Sequence, residues 1–142
     1  MKRIFLALAL VFCLVPSLSF AQPSLFNPSM QIRASAVLTN SDALSTTFTI
    51  PADAVAVHYF VDFTKGSLTS ASFAPAGAMD GNPAATGYFK SAGRAQVIDT
   101  TGKYHIRVPR EEFGAYRYGG IFSLGTGTVT SSLASIRIKF EY

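Results

Sequence analysis

Apolar and polar residues alternate with period two through the centre and the end of this chain. Across residues 55–63, Val55, Val57, Tyr59, Val61 and Phe63 fall on one side, and Ala56, His58, Phe60 and Asp62 on the other. Alternation rich in β-branched and aromatic residues predicts a half-buried strand rather than a helix. Pro51 stands before it and Lys65-Gly66-Ser67 supplies turn chemistry after it. This is the most apolar segment beyond the N-terminal leader, so it is expected to be a central strand.

The same period recurs on both sides. Met30, Ile32, Ala34, Ala36 and Leu38 share a face, as do Thr46, Phe48 and Ile50, then Tyr104, Ile106 and Val108. The clearest case closes the chain, where Ile136, Ile138, Phe140 and Tyr142 alternate with Arg137, Lys139 and Glu141. Shorter strands are expected over 67–73, from Tyr88-Phe89, over 95–98 and over 116–124. Gly119-Gly120 reads as a bulge or bend, and Gly125-Thr126-Gly127 as a hairpin turn. Residues 75–87, rich in Ala, Gly and Pro, read as the longest loop, and 109–113 as a single helical turn. Short strands, about seven to nine of them, with no amphipathic helix predict an all-β fold. The expected architecture is an antiparallel β-sandwich of jelly-roll or immunoglobulin-like type.

The leader changes the picture of where the protein works. Lys2 and Arg3 precede an apolar run over residues 4–15, and Ser19-Phe20-Ala21 places small residues for cleavage before Gln22. This predicts a secretory signal peptide over 1–21, an extended Pro-containing tail over 22–29 and one sandwich domain over 30–142. A secreted or cell-surface protein with no membrane span after signal removal is expected. Phe12 before Cys13 lacks the small residue a lipidation site needs. Without Lys2 and Arg3, ten of the twelve Lys/Arg remain against eight Asp/Glu, a formal +2. So small an excess, with no run of cations longer than two, gives no nucleic-acid footprint. The only cysteine lies in the leader, so no disulfide supports the mature chain.

Chemistry is sparse. His58 and His105 fall on the polar faces of their strands, and His58 shares its face with Asp62. A four-residue step along a strand spans about 13 Å, too far for one metal ion, so a ligand role for His58 needs residues from elsewhere in the chain. Asp80-Gly81-Asn82 lacks the later carboxylates of a calcium loop and reads as a turn. Serine has no nucleophile-elbow context, and the adjacent Glu111 and Glu112 cannot both face one site. The expectation is a non-enzyme with no catalytic, metal or cofactor site. The closing alternation also matches the last strand of outer-membrane barrels, but the mature chain is short for eight strands of about ten residues.

Residues 59–70 (YFVDFTKGSLTS) and 125–132 (GTGTVTSS) resemble a group of small uncharacterised β-sandwich proteins of tailed-phage virions and environmental bacteria. The resemblance covers about half of the mature chain and implies a structural or surface-binding role, with no residue carried over. An export signal departs from the virion pattern and points to a bacterial extracellular component.

Two functions are expected on these grounds. The first is a secreted structural subunit that self-associates into a homopolymer, a filament or surface layer. Its tail and first strand would make the subunit contact through Leu25, Phe26, Met30 and Ile32. The alternative is a module for cell-surface glycans, with Phe60, Tyr88, Tyr116 and Tyr118 as stacking rings. No Asn-X-Ser/Thr acceptor exists, whereas Ser and Thr crowd residues 39–47, 67–72 and 126–132 and make O-glycosylation an open expectation.

Overall fold

The computed structural model describes residues 28–79, 89–90 and 94–142, which form ten strand segments and one helical turn. In chain order these are β1 (Met30–Ala36), β2 (Ala43–Leu44), β3 (Phe48–Thr49), β4 (Ala56–Thr64), β5 (Leu68–Ala78), β6 (Phe89–Lys90), β7 (Gln96–Ile98), β8 (Gly102–Pro109), α1 (Arg110–Phe113), β9 (Tyr118–Gly127) and β10 (Leu133–Glu141). One sheet has the order β1-β10-β4-β8. The other has the order β2-β9-β5-β6, with β3 also on β9 and β7 also on β5. Every pairing is antiparallel, and the two sheets pack face to face as an all-β sandwich. Among the described residues, no helix is long and apolar enough to cross a membrane.

The expected central strand is central. β4 lies between β10 and β8 and pairs with each over nearly its whole length. Val57, Tyr59, Val61 and Phe63 are fully buried, because alternation aims every second side chain at the opposite sheet. Val55 departs from that face and is 51 % exposed. It sits ahead of the strand, where its N–H donates to Glu141 O at 2.7 Å and its carbonyl accepts from Arg110 N–H at 2.7 Å. Phe63 meets Phe73 of the other sheet edge-on at 5.9 Å, and Phe48 packs on both Tyr59 and Phe140. The Tyr59 hydroxyl donates to Gly120 O at 3.1 Å, so one side chain bonds the two sheets across the core. Burial without a charged partner raises the Tyr59 pKa far above the ordinary tyrosine range.

Several local expectations are corrected. The loop expected over 75–87 is overturned at its start, where β5 continues through Pro75 to Ala78; residues 80–87 of that stretch lie outside the described residues. Pro75 pairs with Ile121 on one side. On the other it falls between the β7 pairing, which ends at Phe73, and the β6 pairing, which starts at Ala76. A missing N–H is tolerated at such a gap, and the small residues around it let β5 be buried on both faces. Gly119-Gly120 makes no bulge: pairing with Gly77 and Ala76 is continuous there. A Cβ on Gly119 would lie 2.5 Å from the Phe48 ring, and one on Gly120 would lie 2.9 Å from Leu44. These glycines make room for side chains rather than bending the strand. Gly125-Thr126-Gly127 is not a hairpin turn either, since β9 runs through it to match the start of β5. The turn falls at Thr130-Ser131, in the crossing to β10.

Of the strand expected around Thr46, Phe48 and Ile50, only Phe48–Thr49 is strand, as β3; β2 lies just ahead of that stretch, and the two pair with different parts of β9. The first strand is less regular than its alternation suggests. Its register against β10 shifts twice, leaving Ile32 as its one buried side chain and Met30, Ala34 and Ala36 exposed. Phe140 is half-buried at the core margin, and Tyr142 lies exposed just beyond β10.

Candidate functional site

Alternation that buries one side of β4, β8 and β10 presents the other as a grid on the outer face of the four-stranded sheet. The registers define three rows across β8, β4 and β10. They are Arg107–His58–Lys139, His105–Phe60–Arg137 and Lys103–Asp62–Ser135. Phe60 is the centre of the grid and is 39 % exposed although it sits on an internal strand. Four cations surround it against the carboxylates of Asp62 and Glu141. Two shallow grooves flank the ring. One of about 400 Å³ is lined by Phe60, Asp62, Lys103, Tyr104, His105 and Arg137 among others. The second, of about 520 Å³, runs from Phe60 past His58 and Glu141 to Tyr142.

The upper corner of the grid is wired together. His58 Nδ1 lies 2.7 Å from His105 Nε2, and His58 Nε2 lies 2.9 Å from Glu141 Oε2. Arg107 Nε donates to the same carboxylate oxygen at 2.8 Å. The two imidazole planes differ by 6° with centroids 4.9 Å apart, and a nitrogen contact as short as 2.7 Å puts them edge to edge in one plane. His105 also lies parallel to Phe60, with centroids 4.9 Å apart. A carboxylate can only accept, so His58 carries a proton on Nε2, and its Nδ1 is left to share one proton with His105.

The charges follow from these contacts. Hydrogen bonds from Arg107 and then His58 hold the Glu141 carboxyl down at about 2. Partial burial, then His58 and Arg107, favour neutral His105 and lower its pKa from 6.5. Both shifts make acid destabilising. Glu141 contributes stability that is complete above its ordinary value near 4.5 and is lost as pH falls towards 2. For His105 the unfolded chain binds more protons below pH 6.5, so stability falls from there downward. Thermal unfolding midpoints measured from pH 8 to pH 5 should be flat above about pH 6.5 and decline below it. The decline should be shallower in His105→Gln, and a midpoint independent of pH over that range would sink this account.

The sequence-based site residues scatter. Of the three described rings expected to stack on glycans, Phe60 alone is on this face. Tyr116 packs against the core, over Gly77, and Tyr118 belongs to β9 in the other sheet. Tyr88 lies outside the described residues. In its place Tyr142, absent from the expected set, shares a groove with Phe60. Of the subunit-contact residues, Leu25 and Phe26 lie outside the described residues, as does the Asp80-Gly81-Asn82 turn. Met30 and Ile32 sit in β1, which pairs with β10 of its own chain. Glu111 and Glu112 are exposed on α1, where Arg94 holds Glu112 in a two-pronged ion pair. The join between His58, His105 and Glu141 was missed, although all three carry outward parity in the sequence. Among the described residues, no cluster of three or more His, Cys, Asp or Glu side chains is arranged to hold a metal ion. No protein family matches this chain, and no curated protein matches it in sequence.

Proposed function

We propose that the protein is an exported, non-enzymatic binding module that takes an acidic polysaccharide on the outer face of its four-stranded sheet. The observation that carries this reading is the position of Phe60, a half-exposed aromatic ring on an internal strand, bordered by Lys103, Arg107, Arg137 and Lys139. An exposed ring surrounded by cations offers a sugar ring an apolar platform, and carboxylate or sulfate groups find cations within one strand spacing on either side. Neighbouring strands lie about 4.8 Å apart, so the three-strand grid is close to one or two sugar units across. The leader supports exposure to such polymers.

Retention on immobilised acidic polysaccharide, with a neutral glucan and a single-stranded oligonucleotide as comparisons, tests this reading. Phe60→Ala and the pair Arg137→Gln/Lys139→Gln should each weaken retention at least about tenfold, and salt should weaken it further. All three sites face solvent, so thermal stability should change little. Equal retention of wild type and variants, or none on any acidic polymer, would defeat the proposal.

Assembly into an extracellular filament is the second reading, and β1 favours it. This edge strand buries only Ile32, has a twice-broken register and follows directly on the tail. An edge strand held so lightly is suited to exchange between subunits. Its slot beside β10 is nevertheless filled within one chain, and Thr46 N–H donates to Ile32 O at 3.0 Å, which covers part of the free edge. Size-exclusion and negative-stain microscopy of the mature protein decide the point. A stable monomer at high concentration, unchanged by removing residues 22–29, excludes assembly.

A further inference from the structure

We propose that His58 and His105 form a two-histidine site for a divalent transition-metal ion of the copper(II) or zinc(II) class, with Glu141 as the carboxylate that orients it. The inference is independent of the polysaccharide reading.

Four features support it. The two histidines come from adjacent strands and aim ring nitrogens at one another, His58 Nδ1 to His105 Nε2, at 2.7 Å. Imidazole is the common ligand of both ions, and it ligates in its neutral form. The second nitrogen of His58 is fixed by Glu141 at 2.9 Å, which keeps the proton on Nε2 and leaves the Nδ1 lone pair pointing at His105. Such a carboxylate–histidine arrangement is the usual support for a metal-bound imidazole. Glu141 is itself held by Arg107.

In the empty pair one proton fills the gap between the two nitrogens. A metal ion would take that place, with the His105 proton moving from Nε2 to Nδ1 through solvent. Metal–nitrogen bonds of about 2.0–2.1 Å need the two nitrogens further apart than 2.7 Å. Small rotations of the rings supply this, because His105 is exposed and His58 partly so. Glu141 stays on the far nitrogen of His58 and is no ligand. Water would complete the coordination sphere on the open side, so a weaker site than a three-ligand centre is expected, with Arg107 opposing the added charge.

The test is titration of the untagged mature protein with copper(II), and separately zinc(II), at pH 7.5 in a non-coordinating buffer. Calorimetry would be followed by electron paramagnetic resonance of the copper form. One equivalent should bind, with nitrogen couplings from two imidazoles. His58→Gln and His105→Gln should each abolish saturable binding, and Glu141→Gln should weaken it by about 10–100-fold. Circular dichroism of each variant shows whether it is folded, and the two-imidazole signature of the wild type needs no variant. No saturable binding, a spectrum with fewer than two imidazoles, or binding that persists in the double histidine variant would overturn the site. Undiminished affinity in Glu141→Gln would overturn the role of the carboxylate.

Discussion

Tyr59→Ala should remove about 3–5 kcal/mol of stability, the range for truncating a large aromatic in a packed core. Tyr59 has no exposed surface, packs on Phe48 with ring centroids 6.1 Å apart, and bonds Gly120 O across the interface between the sheets. Truncation leaves a cavity at the middle of the central strand and removes the bond to Gly120 O at once. Domains of this size are stable by about 5–15 kcal/mol, so the variant should be largely unfolded or nearly so at 37 °C. Tyr59→Phe separates the two contributions. It keeps the ring and loses only the hydroxyl, and should lower stability by about 1–2 kcal/mol. Urea unfolding followed by circular dichroism measures both. If Tyr59→Phe were as damaging as Tyr59→Ala, the hydrogen bond rather than the packing would be holding the sheets, contrary to this account.

Gly66→Ala should cost about 2–4 kcal/mol for two reasons that add. Gly66 is in the turn between β4 and β5, with φ of +55°, where an L side chain is strained. A Cβ there would also lie 2.4 Å from the backbone carbon and oxygen of Ser131, which cannot swing aside as a side chain would. The close approach has a structural reason. Two of the crossings between the sheets, β4 to β5 and β9 to β10, meet at this end, and the turn is bonded to the 128–132 connection through Ser67 N–H to Ser131 Oγ at 3.1 Å and Ser67 Oγ to Thr128 O at 2.6 Å. Gly114 supplies a comparison. Its φ of +52° and ψ of −122° strain an L residue, but a Cβ there meets nothing within 4 Å, so Gly114→Ala should cost the backbone strain alone, about 1–3 kcal/mol. A loss below about 1 kcal/mol for Gly66→Ala in chemical unfolding would show that neither the turn conformation nor the contact with Ser131 holds this end together.

Period-two alternation determined most of the fold class by itself. Val57, Tyr59, Val61 and Phe63, then Ile106 and Val108, then Ile136 and Ile138, are buried where their parity puts them, because a strand exposes only two faces and one must be dry. Local composition misled where a residue's neighbours, rather than its own preference, decide. Pro75 reads as loop, yet it lies in β5 at a gap in the pairing on one side. Gly119 and Gly120 read as a bend, yet Phe48 and Leu44 need their space.

The candidate site follows the same division. Parity placed His58, Phe60, His105, Arg137 and Lys139 on outer faces, and distance along one strand correctly separated His58 from Asp62. Which outward residues become neighbours depends on strand order and register. β8 and β10 flank β4, although His105 and Glu141 lie 47 and 83 residues from His58 in the chain. No local pattern encodes a contact across that separation. It arises because the buried faces of three strands must line up against one opposing sheet, and their outer faces are carried into register with them.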